Sequence, residues 1–290
     1  MRRVTIDTLN TNLKIHDYQE SEANFWLNIP LEGFDFPEVR MSEYDKPGES
    51  GAVVSSMFYG PRNITVTGTI TAPNPAQYMT ARRNLAKACA ISADDKGLPT
   101  PKRVEIVTND GQEYFFDAHF RRPVFDDKEV TSTNFLLQMV VPNPFFKSSN
   151  QVSSGAITKA AGGGFTLPVT LPISSTASEG GAVTVTNNGT APAAPILTLT
   201  GPLTNPYIFN QAANKAMQLN YTLAGGNTIT IDMLEKTIML NGSSSILGTK
   251  TDISEWWSIL PGSNQISLTT GSSSDTGNVV VRFFPSYIGV

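Results

Sequence analysis

Cysteine, histidine and charge are all scarce in this 290-residue sequence, which holds one Cys, two His and only 16% Asp, Glu, Lys and Arg. Each scarcity removes a class of explanation. A lone Cys89 cannot form an intrachain disulfide, so the fold does not depend on an oxidising compartment. His16 and His119 have no cysteine or second histidine at ligand spacing, which leaves no metal site to propose. The net charge of −4 provides no basic footprint for nucleic acid, and no nucleic-acid binding is expected. No apolar run approaches the ~18 residues of a membrane-crossing helix, so no membrane insertion is expected. Met1-Arg2-Arg3 leads into Asp7, Asn10 and Asn12 instead of an apolar stretch, and is not read as a secretory signal.

Catalytic patterns are missing too. There is no nucleophile elbow and no P-loop, and Gly162-Gly163-Gly164 precedes an extended stretch, Phe165 to Pro172, whose prolines suit an edge strand or arm. The glycines read as a flexible joint. Asp126-Asp127-Lys128-Glu129 lacks the glycine and ligand spacing of a calcium loop and reads as a charged turn. Asp232 and Glu235 have the chemistry of a glycosidase pair, but Asp232 is better placed to accept hydrogen bonds from turn amides. The expectation is a chain with no catalytic residues, no cofactor and no metal, and not an enzyme.

What is present is β-pattern in two compositions. Residues 1–149 hold 35 of the 46 charged residues, and this shift, with Pro142-Asn143-Pro144, places a domain boundary near 147/148. The expected domains are 1–147 and 148–290, with Ser148-Ser149-Asn150 opening a linker. In the first, residues 40–52 are polar and broken by Gly and Pro, and read as an exposed loop or hairpin tip. Val53–Tyr59 and Ile64–Ile70 flank Gly60-Pro61 as a hairpin. Asn74 as N-cap, Pro75 at N1 and Gln77 at N3 start a helix whose Tyr78, Ala81, Leu85 and Ala88 share one face. Arg82, Arg83 and Lys87 lie on the other side, solvated or facing an acidic neighbouring subunit. Asn109-Asp110-Gly111 joins two further strands, and Phe135, Leu137 and Met139 alternate through a last one. The result is an α+β unit of antiparallel strands with one helix.

The second domain is patterned around residues 227–266. Thr228, Thr230 and Asp232 alternate with Ile229, Ile231 and Met233, and after a turn Ile238 and Leu240 alternate with Thr237 and Met239 before Asn241-Gly242. Trp256 and Trp257 are adjacent, so in extended chain their rings face opposite ways, one core and one lid. Burying one such ring contributes about 5 kcal/mol as an upper bound. Leu260-Pro261-Gly262 turns the chain, Asn264 tolerates a left-handed conformation, and Ile266 begins another strand. With the alternating segments around 182–186, 194–200, 216–221 and 278–284, seven or eight short strands make a sandwich.

These residues carry a resemblance. Ile231-Asp232, Lys236-Thr237, Leu240-Asn241-Gly242, Trp256-Trp257, Leu260-Pro261-Gly262 and Asn264, preceded by Asn188-Gly189, Pro195, Gly201-Pro202-Leu203 and Asn205-Pro206, resemble the C-terminal domain of siphophage distal tail (Dit) proteins in order and spacing. Arg62 before a Thr-rich strand, the single helix and the Pro144-Phe145 junction resemble the N-terminal domain of that family. The resemblance implies a mainly β fold: an N-terminal α+β ring-forming domain, then a C-terminal β-sandwich, a jelly roll like those of galectins and carbohydrate-binding modules. It also implies a structural virion protein, a distal tail or baseplate hub whose homo-hexameric ring connects the tail tube protein to tail tip and tail-associated proteins, with receptor-binding proteins as further partners. Such a protein sits at the tail tip of the virion after assembly in the host cytoplasm. Asp232, Asn241, Gly242, Trp256, Trp257, Pro261, Gly262 and Asn264 are its pattern-bearing structural residues. The alternative is a carbohydrate-binding module or adhesin, in which an exposed Trp256 or Trp257 stacks on host glycans, with Tyr207, Tyr221 and Tyr287 the few other aromatics available.

Overall fold

A computed structural model describes residues 3–6, 13–15, 25–159 and 181–290; His16, Gly162-Gly163-Gly164 and the proline-spaced stretch from Phe165 lie outside these. The chain forms two compact units, one running to Ser149 and including Tyr287–Val290, the other Asn150–Ser286. The last four residues, assigned by chain order to the second domain, pack in the first, where the Val290 amide donates to Phe34 O (3.3 Å).

In the first unit, β1 (Arg3–Ile6), β2 (Leu13–Ile15), β3 (Phe25–Glu32), β4 (Val39–Asp45), β5 (Ala52–Tyr59) and β6 (Arg62–Thr71) precede helix α1 (Pro75–Ala88). A small ribbon of β7 (Ser92–Ala93) and β8 (Pro99–Thr100) follows, then β9 (Lys102–Val107), β10 (Glu113–Glu129), β11 (Ser132–Val141) and β12 (Phe146–Ser148). Antiparallel pairing runs β2-β1-β9-β10-β11-β6-β3. Strand β10 is the seam: residues 113–118 pair with β9 and residues 119–129 with β11. Asp126-Asp127-Lys128-Glu129 is therefore the end of a strand, not a turn; β11 continues the ladder past it, and the reversal falls at Val130-Thr131.

Helix α1 begins as its sequence dictates. Asn74 Oδ1 accepts from the Gln77 amide (2.9 Å), Pro75 occupies the position whose N–H would be orphaned, and Tyr78, Ala81, Leu85 and Ala88 are buried. They join Ile64, Val66, Val104, Phe116 and Leu137 in one core. Cys89 caps the helix C-terminus, and burial pushes its thiol up to about 12. The Lys102 ammonium donates to Ala88 O (2.6 Å) at the same helix end.

Two further expectations fail in this unit. Strands β5 and β6 do not form a hairpin: β5 pairs with β4, from Val39↔Tyr59 to Asp45↔Ala52, while β6 pairs with β11 and β3. The burial patterns explain the choice. Strand β6 hides alternate residues, whereas no residue of β4 or β5 is buried, so β5 has no face to give a core. The Gly60 amide donates to Glu38 O (2.7 Å), closing the base of the ribbon just before Pro61, which has no N–H. The polar stretch 40–52 is thus an ordered arm, its tip closed by Lys46 N donating to Gly51 O (3.1 Å). Secondly, Ser148, read as opening a linker, instead ends strand β12 in the first unit, whose Phe146 is fully buried and stacks on Phe34 with ring centroids 5.8 Å apart.

Arg62, at the start of β6, is only 3% exposed. Its Nε donates to Pro144 O (2.7 Å), one terminal nitrogen to Gly33 O (2.9 Å) and Asp35 O (2.8 Å), and the other to Ile288 O. Its guanidinium lies 4.5 Å from the Phe146 ring centroid. Burial lowers its pKa to about 10, with the Asp35 charge opposing the shift, so the group stays cationic at neutral pH.

The second unit holds β13 (Val152–Thr158), β14 (Ala182–Asn187), β15 (Ile196–Thr200), β16 (Leu203–Thr204), β17 (Tyr207–Asn210), β18 (Lys215–Gln218), β19 (Thr222–Leu223), β20 (Thr228–Asp232), β21 (Thr237–Leu240), β22 (Ser244–Ser245), β23 (Gly262–Thr269) and β24 (Asn278–Phe283). One sheet runs β13-β24-β15-β20-β21-β22 and the other β14-β23-β17-β18, with β16-β19 a separate ribbon. Leu197, Leu199, Ile229, Ile231 and Val281 of the first sheet share a core with Ile208, Ile266 and Leu268 of the second. This is a β-sandwich, and the whole chain is mainly β.

Two outcomes follow from these contacts. Arg62→Ala leaves four backbone carbonyls without their donor, and should destabilise the first unit by about 3 kcal/mol, with Arg62→Lys recovering only part; denaturant unfolding measures this, and an unchanged midpoint would contradict it. Cys89 should react with a thiol reagent orders of magnitude more slowly in the native protein than in denaturant; equal rates would contradict its burial.

Candidate functional site

The pattern-bearing residues of the second unit are turn fasteners. Asp232 ends β20, and its Oδ1 accepts from the amides of Leu234 (2.8 Å) and Glu235 (2.9 Å), while Lys236 takes φ 55° to bring the chain into β21. Asn241 (φ 49°) and Gly242 (φ 69°) make the next reversal, and Asn241 Oδ1 accepts from the Thr228 amide (2.9 Å). With Asp232 committed to these amides and Glu235 on the exposed side of the turn, the geometry gives the two carboxylates no shared reacting centre.

Asn264 departs from expectation. It is no left-handed turn residue; it sits fully buried within β23. Its Oδ1 accepts from the Leu260 amide (3.0 Å), and its Nδ2 donates to Leu260 O (2.7 Å) and Gly262 O (3.0 Å). The side chain ties the Leu260-Pro261-Gly262 turn to the strand that follows, and Gly262 supplies the positive φ of 90°. Of the two tryptophans, Trp257 is buried in the sandwich core and Trp256 is half-buried against it. A ring that stacks on a sugar needs an open face; Trp257 has none, and Trp256 keeps only a partly exposed one.

Further fasteners were not singled out from the sequence. Asn187 is buried, donates through Nδ2 to Ala191 O (3.0 Å) and Ile259 O (3.1 Å), and accepts from the Gly189 amide (2.9 Å). Asp275 accepts from the Thr204 amide (2.6 Å) and hydroxyl (3.2 Å). Asn187 immediately precedes Asn188-Gly189, which was the available signal; Asp275 lies in a Ser-rich loop with none.

Elsewhere among the described residues, a cavity of about 230 Å³ in the first unit brings three potentially reactive side chains together, Cys89, Lys102 and His119. Its thiol is held protonated by burial, and the Lys102 ammonium is committed to Ala88 O. No cluster of metal-ligating side chains occurs among the described residues. What the first unit does present is the arm, with Met41 50% exposed and Met57 59% exposed.

Comparison with known proteins gives a consistent result. Residues 188–287 match the family model for the siphovirus-type tail component, C-terminal domain. Among solved structures, the Dit protein of phage SPP1, described as a paradigm of the hub adsorption apparatus in phages infecting Gram-positive hosts, is similar over 99% of both chains, with 11% identity and a TM-score of 0.67. A chain of the phage P2 baseplate in its activated conformation, solved with Ca and with Sr, is similar over 97% of this chain and 98% of that one, with 8% identity and a TM-score of 0.50. No curated protein sequence matches significantly. The turns fastened by Asp232, Asn241 and Asn264 lie within the stretch that matches the siphovirus-type tail component C-terminal domain, and the chain shares the fold of a Dit protein along its full length.

Proposed function

We propose that this chain is the distal tail component of a siphophage-like particle, forming a closed homo-hexameric ring that joins the tail tube to tail tip and tail-associated proteins. The observation that carries the reading is the fold likeness to a Dit protein along 99% of both chains, combined with a family match over residues 188–287. The work such a protein does is binding: ring closure by heterologous contacts between copies, each burying on the order of 1,000 Å² or more. The first unit offers the means. Its arm of β4 and β5 has no buried residue, and exposes Met41, Tyr44, Val54, Met57 and Phe58. Monomeric surfaces rarely keep so many large apolar side chains together without a partner.

Light scattering at several concentrations tests the reading: the full chain should approach six times its monomer mass of 31.3 kDa. A second variant removes residues 41–57 and joins Arg40 to Phe58, which face each other across the ribbon, through Asn-Gly. It should remain folded and monomeric at concentrations where the full chain assembles. A full chain that stays monomeric throughout, or a shortened one that assembles as well as the full chain, would contradict the reading.

A further inference from the structure

The arm has two faces, and they differ. Alternation along β4 puts Met41, Glu43 and Asp45 on one side, and Met57 stands directly across from Met41 on that side. The register shift beside Ser42 and Glu43 falls on β5 and leaves this order on β4 intact. One face of the ribbon therefore reads, from base toward tip, methionine pair, then carboxylate, then carboxylate. Arg40 belongs to the opposite face.

Helix α1 presents the complementary order. It carries three basic residues and no acidic one. Arg82 is drawn over the Phe125 ring at 4.7 Å, which leaves Arg83 and Lys87 as the exposed cations of the helix. Met79, Arg83 and Lys87 are spaced i, i+4, i+8 and form one exposed stripe: methionine, then cation, then cation. The intervals agree as well. Four helical residues advance about 6 Å. Two strand residues advance about 6.8 Å. Laid side by side, Met41 and Met57 meet Met79, Glu43 meets Arg83 and Asp45 meets Lys87.

The chain does not satisfy these groups by itself. Met79 is 40% exposed beside the half-exposed arm methionines, and none of Glu43, Asp45, Arg83 and Lys87 has an ion-pair partner among the described residues. We infer that the arm of one copy lies along the Met79-Arg83-Lys87 stripe of helix α1 in a second copy, β4 running parallel to the helix, with the methionines as a dry anchor and two charge pairs fixing register. This rests on the ring reading above and names the surface on which that ring would close. Flexible methionines suit a contact that must adapt to a curved partner, and opposed charges steer the encounter and exclude a shifted register.

Charge exchange tests it. All four charged positions are exposed, so reversal should leave thermal unfolding unchanged, and that control is read first. Glu43→Lys with Asp45→Lys should weaken assembly at least tenfold in the concentration at half-assembly, and Arg83→Glu with Lys87→Glu should do the same. The chain carrying all four substitutions should assemble within about threefold of the wild type, because the pairs are restored with exchanged sign. If the wild type assembles but the reversed chains do so equally well, or the fourfold variant fails to recover, the arm-on-helix contact is wrong while the ring stands. If the wild type never assembles, the ring reading falls and the contact with it.

Discussion

A buried cation, Arg62, ties distant segments of the first unit together. Arg62 reaches three segments that are far apart in sequence, the loop through Gly33 and Asp35, the Pro144 junction and Ile288 near the end of the chain, and grips each by a backbone carbonyl. A carbonyl carries no net charge, so four of them solvate the guanidinium without bringing a buried carboxylate along, and Phe146 supplies the remaining face. The surroundings are fitted to it. Gly33 has φ 86°, and a Cβ there would stand 2.2 Å from Asn63 O, so no other residue brings its carbonyl to Arg62 without displacing β6. Phe34, Phe116 and Phe146 pack immediately around that loop. The arm leaves the body just beyond this point, its base tied by the Gly60–Glu38 bond. An exposed ribbon with no core of its own needs such a rigid root if it is to present a defined face.

The second unit is built on a different economy of polar groups. It has few charges, and its reversals are fastened by the neutral or anionic side chains of Asn187, Asp232, Asn241, Asn264 and Asp275, each satisfying backbone groups that a short turn would otherwise leave unpaired. That is the physical content of the family pattern: the recurring dipeptides mark where a sandwich of short strands changes direction, and the two tryptophans fill and border its core. The polar side chains of the pattern, Asp232, Asn241 and Asn264, are each bonded to backbone groups of a turn.

Local chemistry made part of this legible from residues alone. The α1 cap at Asn74, the hairpin through Asn109-Asp110-Gly111 and the β20–β21 pair are set by contacts within about a dozen residues, so capping, turn chemistry and alternation suffice. The misreadings are non-local. Strand β5 reads as the partner of β6 because Gly60-Pro61 lies between them, and only the absence of a buried face on β5 sends it back to β4. Strand β10 changes partner midway, which no alternation reveals. Asn264 suits a turn by composition, yet its side chain serves a turn it does not occupy. The return of Tyr287–Val290 to the first unit and the fourfold grip of Arg62 depend on the complete tertiary arrangement, and Arg62 at a strand start carries no local mark of its burial. The arm's amphiphilic face was hidden for the opposite reason: it is spread over two strands and appears only once their register is known.

The central claim is that copies of this chain close on themselves through the first unit. Electron-microscopy class averages of the concentrated full chain test closure most directly, because a heterologous contact whose rotation closes gives discrete rings and one that does not gives open filaments. The account predicts closed six-fold rings with a central opening. Open filaments of variable length, or a field of single copies, would contradict it.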